Sequence, residues 1–146
     1  MSRLTLEAAN RIIEGARARG RELGLAPLTV VVLDAGGHMI ALAREDGSGI
    51  ARVEIATGKA WGGLGVGAGS RMLFDRWNAG GAGFVTALAA ATGGRMVPVP
   101  GGVLVTADGA VLGAVGISGD TSDNDEACAV FGIRAAGLVP DTGDPA

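Results

Sequence analysis

The sequence predicts an α+β domain built on a mainly antiparallel sheet, and three observations carry that prediction. Short apolar, β-branched runs are joined by glycine-containing turns, so hairpins and meanders dominate. Helical periodicity flanks these runs and also separates them. At 146 residues, with 48% apolar and 18% charged side chains, the chain suits one domain over residues 1–146, with no linker and no internal repeat.

The elements follow in order. Leu6, Ala9, Ile12, Ile13 and Ala16 recur at helical spacing, Thr5 can cap the start, and Gly24 and Pro27 end the helix. Residues 28–33 read as a strand, Asp34-Ala35-Gly36-Gly37 as a turn, and 38–44 as the second strand of a hairpin. Ile50, Val53, Thr57, Ala60, Trp61 and Leu64 keep a helical period despite Gly58, Gly62 and Gly63. A short amphipathic segment at 71–78 and a helical stretch at 84–91 follow, closed by Gly93-Gly94. Runs at 96–99, 103–106 and 111–118 read as three further strands, with Met39 and Met96 placed in the core. Ala127, Val130, Phe131, Ala135 and Leu138 mark the face of a last helix, ended near Gly137 and Pro140.

Composition removes several function classes. A net charge of −3 leaves no basic footprint for nucleic acid, and no apolar run approaches the ~20 residues needed to span a bilayer. A single cysteine, Cys128, excludes an internal disulfide framework and a thiolate-only zinc site, and one histidine cannot build a histidine-rich metal centre. The Met-Ser-Arg start runs into a helical pattern without a signal-peptide core, so a cytoplasmic location is expected. With 27 glycines and 3% aromatics the core gains little burial per side chain, which favours a homo-oligomer.

Four features carry candidate chemistry. Lys59 is the only lysine among twelve basic residues, so a compact ammonium, a tunable pKa or an amine nucleophile is called for there; a snorkelling surface lysine is the plain alternative. His38, the only histidine, could serve as an axial haem ligand or general base, or simply be solvated. Asp120 to Glu126 holds four acids in seven residues after an apolar strand, with Thr121 or Ser122 as helix cap. These acids, Asp125 and Glu126 among them, could hold a hard cation or act as acid/base groups, and the helix start could hold an anion. Pro98-Val99-Pro100-Gly101-Gly102 makes a tight turn where backbone amides can approach a ligand closely, or merely connects strands. The cluster at residues 62–69 lacks the strand–turn–helix context of a nucleotide loop, and close helix packing explains it better.

Together these pieces resemble the GlcG/HbpS family, related to the PduO C-terminal domain. The matching segments are Leu4-Thr5-Leu6-Glu7-Ala8-Ala9, Val32-Leu33-Asp34-Ala35-Gly36-Gly37-His38, Ala43-Arg44 with Asp46-Gly47, and Lys59-Ala60. Gly93-Gly94, Val97-Pro98-Val99-Pro100-Gly101-Gly102, Gly113-Ala114-Val115-Gly116-Ile117-Ser118-Gly119 and Asp125-Glu126-Ala127-Cys128 complete the ordered set. The resemblance implies a profilin-like fold, a central sheet of about five strands with helices on both faces, and assembly into dimers, tetramers or octamers. It implies haem as a possible cofactor, with His38 or Thr121 near the iron and Lys59 or Arg44 pairing with propionates. A second reading is a catabolic enzyme (lyase, hydrolase, deaminase or tautomerase) acting on a small organic acid. There Lys59 holds a carboxylate or attacks, Asp125 or Glu126 moves protons, and Gly101-Gly102 and Thr121 supply amide donors. A non-catalytic accessory subunit is the third. The chain departs from the family pattern at Asp120, where a small residue is usual, and at Trp61-Gly62, where an aromatic-Thr pair is usual.

Overall fold

The computed structural model describes residues 2–145; Met1 and Ala146, also counted in the expected domain, lie outside the described residues. In chain order the elements are α1 (Leu6–Glu22), β1 (Thr29–Asp34), β2 (Met39–Arg44), α2 (Arg52–Val66) and α3 (Arg71–Arg76). They continue with α4 (Ala82–Ala91), β3 (Gly102–Ala107), β4 (Ala110–Ser118), α5 (Ser122–Ala135) and β5 (Val139–Asp141). The five strands seen among the described residues form one antiparallel sheet in the order β2-β1-β4-β3-β5. The α+β class, with an antiparallel sheet and helices on both faces, is the one the sequence predicts.

The identity of one strand differs. Residues 96–99 pair with no strand: Pro98 and Pro100 lack N–H donors, and the Val97 amide bonds to the Gly58 carbonyl on α2. The fifth strand is β5, which lies beside Leu104, Val105 and Thr106 of β3. Its three residues are too few to show an alternating pattern.

Strand alternation builds two apolar layers. Val30, Val32, Val103, Val105, Val115 and Ile117 face α1 and α5. Val31, Leu33, Leu104 and Ala114 face the other way, against Ala56 and Ala60 of α2. Helix α1 starts as its sequence indicates, with the Thr5 hydroxyl accepting the Ala8 N–H at 3.1 Å. Helix α5 keeps the expected period but is turned relative to the expected face. Cys128, Ala129, Gly132 and Ile133 are buried, whereas Phe131 is 42% exposed beneath the Arg19 guanidinium. The cause is the α1–α5 crossing: a β-carbon at Gly132 would lie 2.4 Å from the Ile12 carbonyl oxygen, so only glycine allows that approach. Met96 is buried as expected, but Met39 is 47% exposed because α2 packs over β1, β3 and β4 and leaves β2 uncovered.

Helix α2 lies unusually close to the sheet. A β-carbon at Gly116 would sit 1.8 Å from the Ala56 carbonyl oxygen, and one at Gly102 would sit 2.1 Å from that of Lys59. These two positions lower α2 onto β3 and β4, and so set the depth of everything α2 carries. Between α3 and α4 the chain makes a wide, kinked turn, Trp77–Gly81, with Gly80 at φ 95°. Among the described residues no helix is long and apolar enough to cross a membrane.

Candidate functional site

The close approach of α2 places Lys59 inside the molecule, at 2% exposure. Its ammonium donates to the Ile117 carbonyl at 2.9 Å and to Asp125 Oδ2 at 3.2 Å. Asp125, fully buried, accepts the Asp120 N–H on its other oxygen at 2.9 Å. Gly101, at φ 122°, caps the pair: a β-carbon there would lie 2.8 Å from the Lys59 nitrogen. Burial pushes the Lys59 pKa below its ordinary 10.5, Asp125 opposes that shift, and Arg52 adds to it. The arrangement joins α2, β4 and α5 through one amine. The enclosed amine belongs to the chain's single lysine.

The acidic stretch at the start of α5 separates into individual contacts. Asp120 accepts the Ala26 N–H at 3.0 Å, the Thr121 N–H at 2.9 Å and the Asn124 side-chain amide at 2.8 Å. These bonds, led by the one from Asn124, hold its pKa below the usual 3.8 and absorb the extra charge at this position. Asp123 and Glu126 both pair with Arg71 of α3, Glu126 through Nε and Nη at 3.0–3.2 Å. The two carboxylates in turn raise the Arg71 pKa. Thr121 caps α5, its hydroxyl accepting the Asn124 N–H at 3.2 Å. No group of three or more His, Cys, Asp or Glu among the described residues is placed to hold a metal ion.

The glycine turn is likewise occupied. The Gly102 N–H donates to the hydroxyl of Ser70 at 2.8 Å, and that hydroxyl donates to the Val99 carbonyl at 2.6 Å. Ser70 is fully buried, and its own N–H reaches the Gly102 carbonyl at 2.8 Å. This serine, invisible as a site in the sequence, fixes the whole turn and leaves the Gly102 amide committed.

His38 has a different setting. It is 81% exposed at the β1–β2 turn, with Nδ1 3.1 Å and 3.2 Å from the two Asp34 carboxylate oxygens. Asp34 also accepts the N–H groups of Gly36 and His38, each at 2.9 Å; the His38 amide is the main reason its pKa is lowered. A shallow cleft of about 170 Å³ adjoins the turn, lined by Ala35, Gly36, Gly37, Trp61, Leu64 and Gly65. Trp61 also borders a larger cleft of about 340 Å³ with Val53, Glu54, Thr57, Gly58, Gly94 and Arg95. The Arg95 guanidinium lies 4.0 Å from the centre of the Trp61 ring.

The sheet register separates the sequence-predicted residues into two groups. Asp34, beside His38, pairs with Gly113, whereas Thr29 at the other end of β1 pairs with Ser118, next to the segment that leads to Thr121. Five residues of strand put these ends roughly 17 Å apart. Lys59, Asp125, Gly101, Gly102, Thr121 and Glu126 gather at the Ser118 end, and His38 stands alone at the other. Arg44 pairs with Thr29 across the sheet and donates to the Ser48 carbonyl.

The family model for the haem degrading protein HbpS-like family matches residues 4–134. The chain belongs to that family. Among solved structures, an HbpS-like neighbour described as the PduOC:heme complex is 26% identical, covers 93% of this chain and 96% of its own, and has a TM-score of 0.84. A double mutant of Streptomyces reticuli HbpS is 27% identical over 92% of this chain and 87% of its own, with a TM-score of 0.77. An uncharacterized 15.0 kDa protein of Citrobacter freundii, from the dhaT-dhaS intergenic region, is 29% identical over 122 residues, 84% of each chain. One neighbour with this fold, PduOC, is thus known as a haem complex.

Proposed function

We propose that this chain binds haem on the surface between the β1–β2 turn and α2, with His38 as the iron ligand. One observation carries the reading. The Asp34 carboxylate lies within hydrogen-bond distance of Nδ1 of an exposed imidazole and leaves Nε2 for a ligand, the carboxylate–histidine arrangement that metal-bound histidines use. Family membership and the haem complex of a relative support the ligand class.

The residues present fit the group. The cleft of about 170 Å³ is smaller than the usual ~300 Å³ of an enclosed ligand pocket, so Trp61 and Leu64 would offer a porphyrin an open apolar surface beside the His38 turn. Arg95, exposed and stacked on Trp61, would be the partner for a propionate. Bound haem would supply iron redox chemistry, and the chain would supply the His38 imidazole, the Asp34 carboxylate that orients it and an apolar surface at Trp61 and Leu64. Lys59 has less support as a nucleophile, because its amine is enclosed; Glu126 has less as an acid/base, because Arg71 clamps it.

Haemin and iron-free protoporphyrin IX, compared by tryptophan quenching, separate ligation from apolar adsorption. His38→Ala weakens haemin about 10–100-fold and leaves protoporphyrin unchanged. Equal haemin affinity in wild type and His38→Ala overturns the assignment.

A further inference from the structure

The cleft of about 340 Å³ beside Trp61 falls within the usual ~300–1,000 Å³ of small-ligand sites, and the haem reading draws on only two of its residues, Trp61 and Arg95. Helix α2 sets its length. Glu54, Gly58 and Trp61 are spaced four and three residues apart, so they share one face of the helix. The seven residues from Glu54 to Trp61 cover about 10 Å. Gly58, between them, lets the segment after Gly94 lie against the helix: a β-carbon there would sit 2.5 Å from Val97 Cγ2 and 3.1 Å from the Arg95 carbonyl oxygen. The two ends of the cleft carry opposite charges. The Arg95 guanidinium lies 4.0 Å from the centre of the Trp61 ring, and its Nε donates to the Thr92 carbonyl at 3.1 Å, which holds the fork in place. Its two terminal nitrogens bond to none of the described residues. Neither Arg95 nor Glu54, both exposed, forms an ion pair among those residues.

We propose that this cleft binds a small ω-amino carboxylate, with the ligand carboxylate on the free end of the Arg95 fork and its ammonium on Glu54. The terminal nitrogens of a guanidinium offer one carboxylate two parallel donors, and those of Arg95 are uncommitted. Val53 and the Trp61 ring give the carbon chain between the two charges an apolar surface. The order of charges selects the ligand. A dicarboxylate sets one anion against Glu54, and a diamine sets one cation against Arg95. An α-amino acid with an uncharged side chain carries both charges on one carbon and cannot span about 10 Å of helix. Arg95 serves one carboxylate at a time, so this ligand and a haem propionate exclude each other there. In every other respect the site stands independently of haem.

The test is isothermal titration calorimetry of the full chain, without haem, against ε-aminocaproate, caproate and hexylamine. ε-Aminocaproate binds in the millimolar range. Caproate and hexylamine, each lacking one of the two charges, bind about three- to fivefold more weakly, the scale of one exposed ion pair. Glu54→Gln removes the preference for ε-aminocaproate over caproate, and Arg95→Gln removes the preference over hexylamine, each with an unchanged circular-dichroism spectrum. Should Arg95→Gln fail to fold, the Glu54→Gln comparison decides by itself. No saturable heat from ε-aminocaproate, equal affinity for caproate or hexylamine in the wild type, or a preference over caproate that survives Glu54→Gln overturns the proposal. With haem absent throughout, none of these outcomes depends on His38.

Discussion

The ammonium of Lys59 lies 3.2 Å from the carboxylate of Asp125, and neither side chain is more than 2% exposed. Such a pair contributes less to stability than it costs when broken, because each ion alone in the interior loses its hydration without compensation. Lys59→Met leaves Asp125 buried and unpaired. We expect urea unfolding to show a loss of about 3–5 kcal/mol, and the Lys59→Met, Asp125→Leu double variant to recover part of it. A Lys59→Met protein as stable as wild type would contradict a structural role for the pair.

The approach of α2 to the sheet is equally testable. Gly116→Ala drives a methyl into the Ala56 carbonyl and is expected to destabilise by about 3 kcal/mol or prevent folding. Gly65→Ala, within the same helix, meets only the Trp61 ring and the Met96 methyl at 3.6–4.0 Å. It is expected to stabilise by about 0.5–1 kcal/mol in thermal unfolding.

Ser70 accounts for three hydrogen bonds at the Pro98–Gly102 turn. Ser70→Ala strands the buried Gly102 N–H and frees the half-buried Val99 carbonyl, at an expected cost of about 1–3 kcal/mol. Hydrogen exchange at the Gly102 amide checks the cause, since that amide becomes the fastest-exchanging one in β3.

Burial, with Asp125 nearby, pushes the Cys128 thiol from its usual 9.0 up to about 11. Between those values the folded protein holds a proton that the unfolded chain has released. Stability therefore falls as pH rises from about 9 to 11. Cys128→Ala is expected to flatten that part of the stability profile, and native Cys128 to resist maleimide at pH 8 until urea is added.

Much of the architecture was legible because it rests on local periodicity. The β1–β2 hairpin, β3, β4 and the Thr5 and Thr121 caps follow from residue alternation and side-chain chemistry within a few positions. What failed depended on contacts distant in sequence. The buried face of α5 is set by Gly132 against Ile12, and the exposure of Met39 by where α2 lies on the sheet. The site divides in the same way. Lys59 drew attention as the only lysine, yet its partner across 66 residues could not be read from spacing. Asp34 was visible as a turn residue, but its hold on His38 is a property of the folded hairpin. Ser70, Arg71 and Arg95 left no mark in the sequence that separates them from any other serine or arginine.

Asp34→Asn keeps the shape of the turn while weakening the hold on His38. We expect haem affinity to fall about tenfold or more, with the fold unchanged by circular dichroism. Equal affinity in Asp34→Asn would show that the carboxylate does not orient the ligand.

The most direct measurement is an absorbance titration of haemin into the wild type, His38→Ala and Thr121→Ala proteins. The account predicts a saturable Soret shift in the wild type, abolished by His38→Ala and retained by Thr121→Ala, whose hydroxyl stands at the opposite end of the sheet. A shift that survives His38→Ala and disappears in Thr121→Ala would contradict it and move the iron to the start of α5.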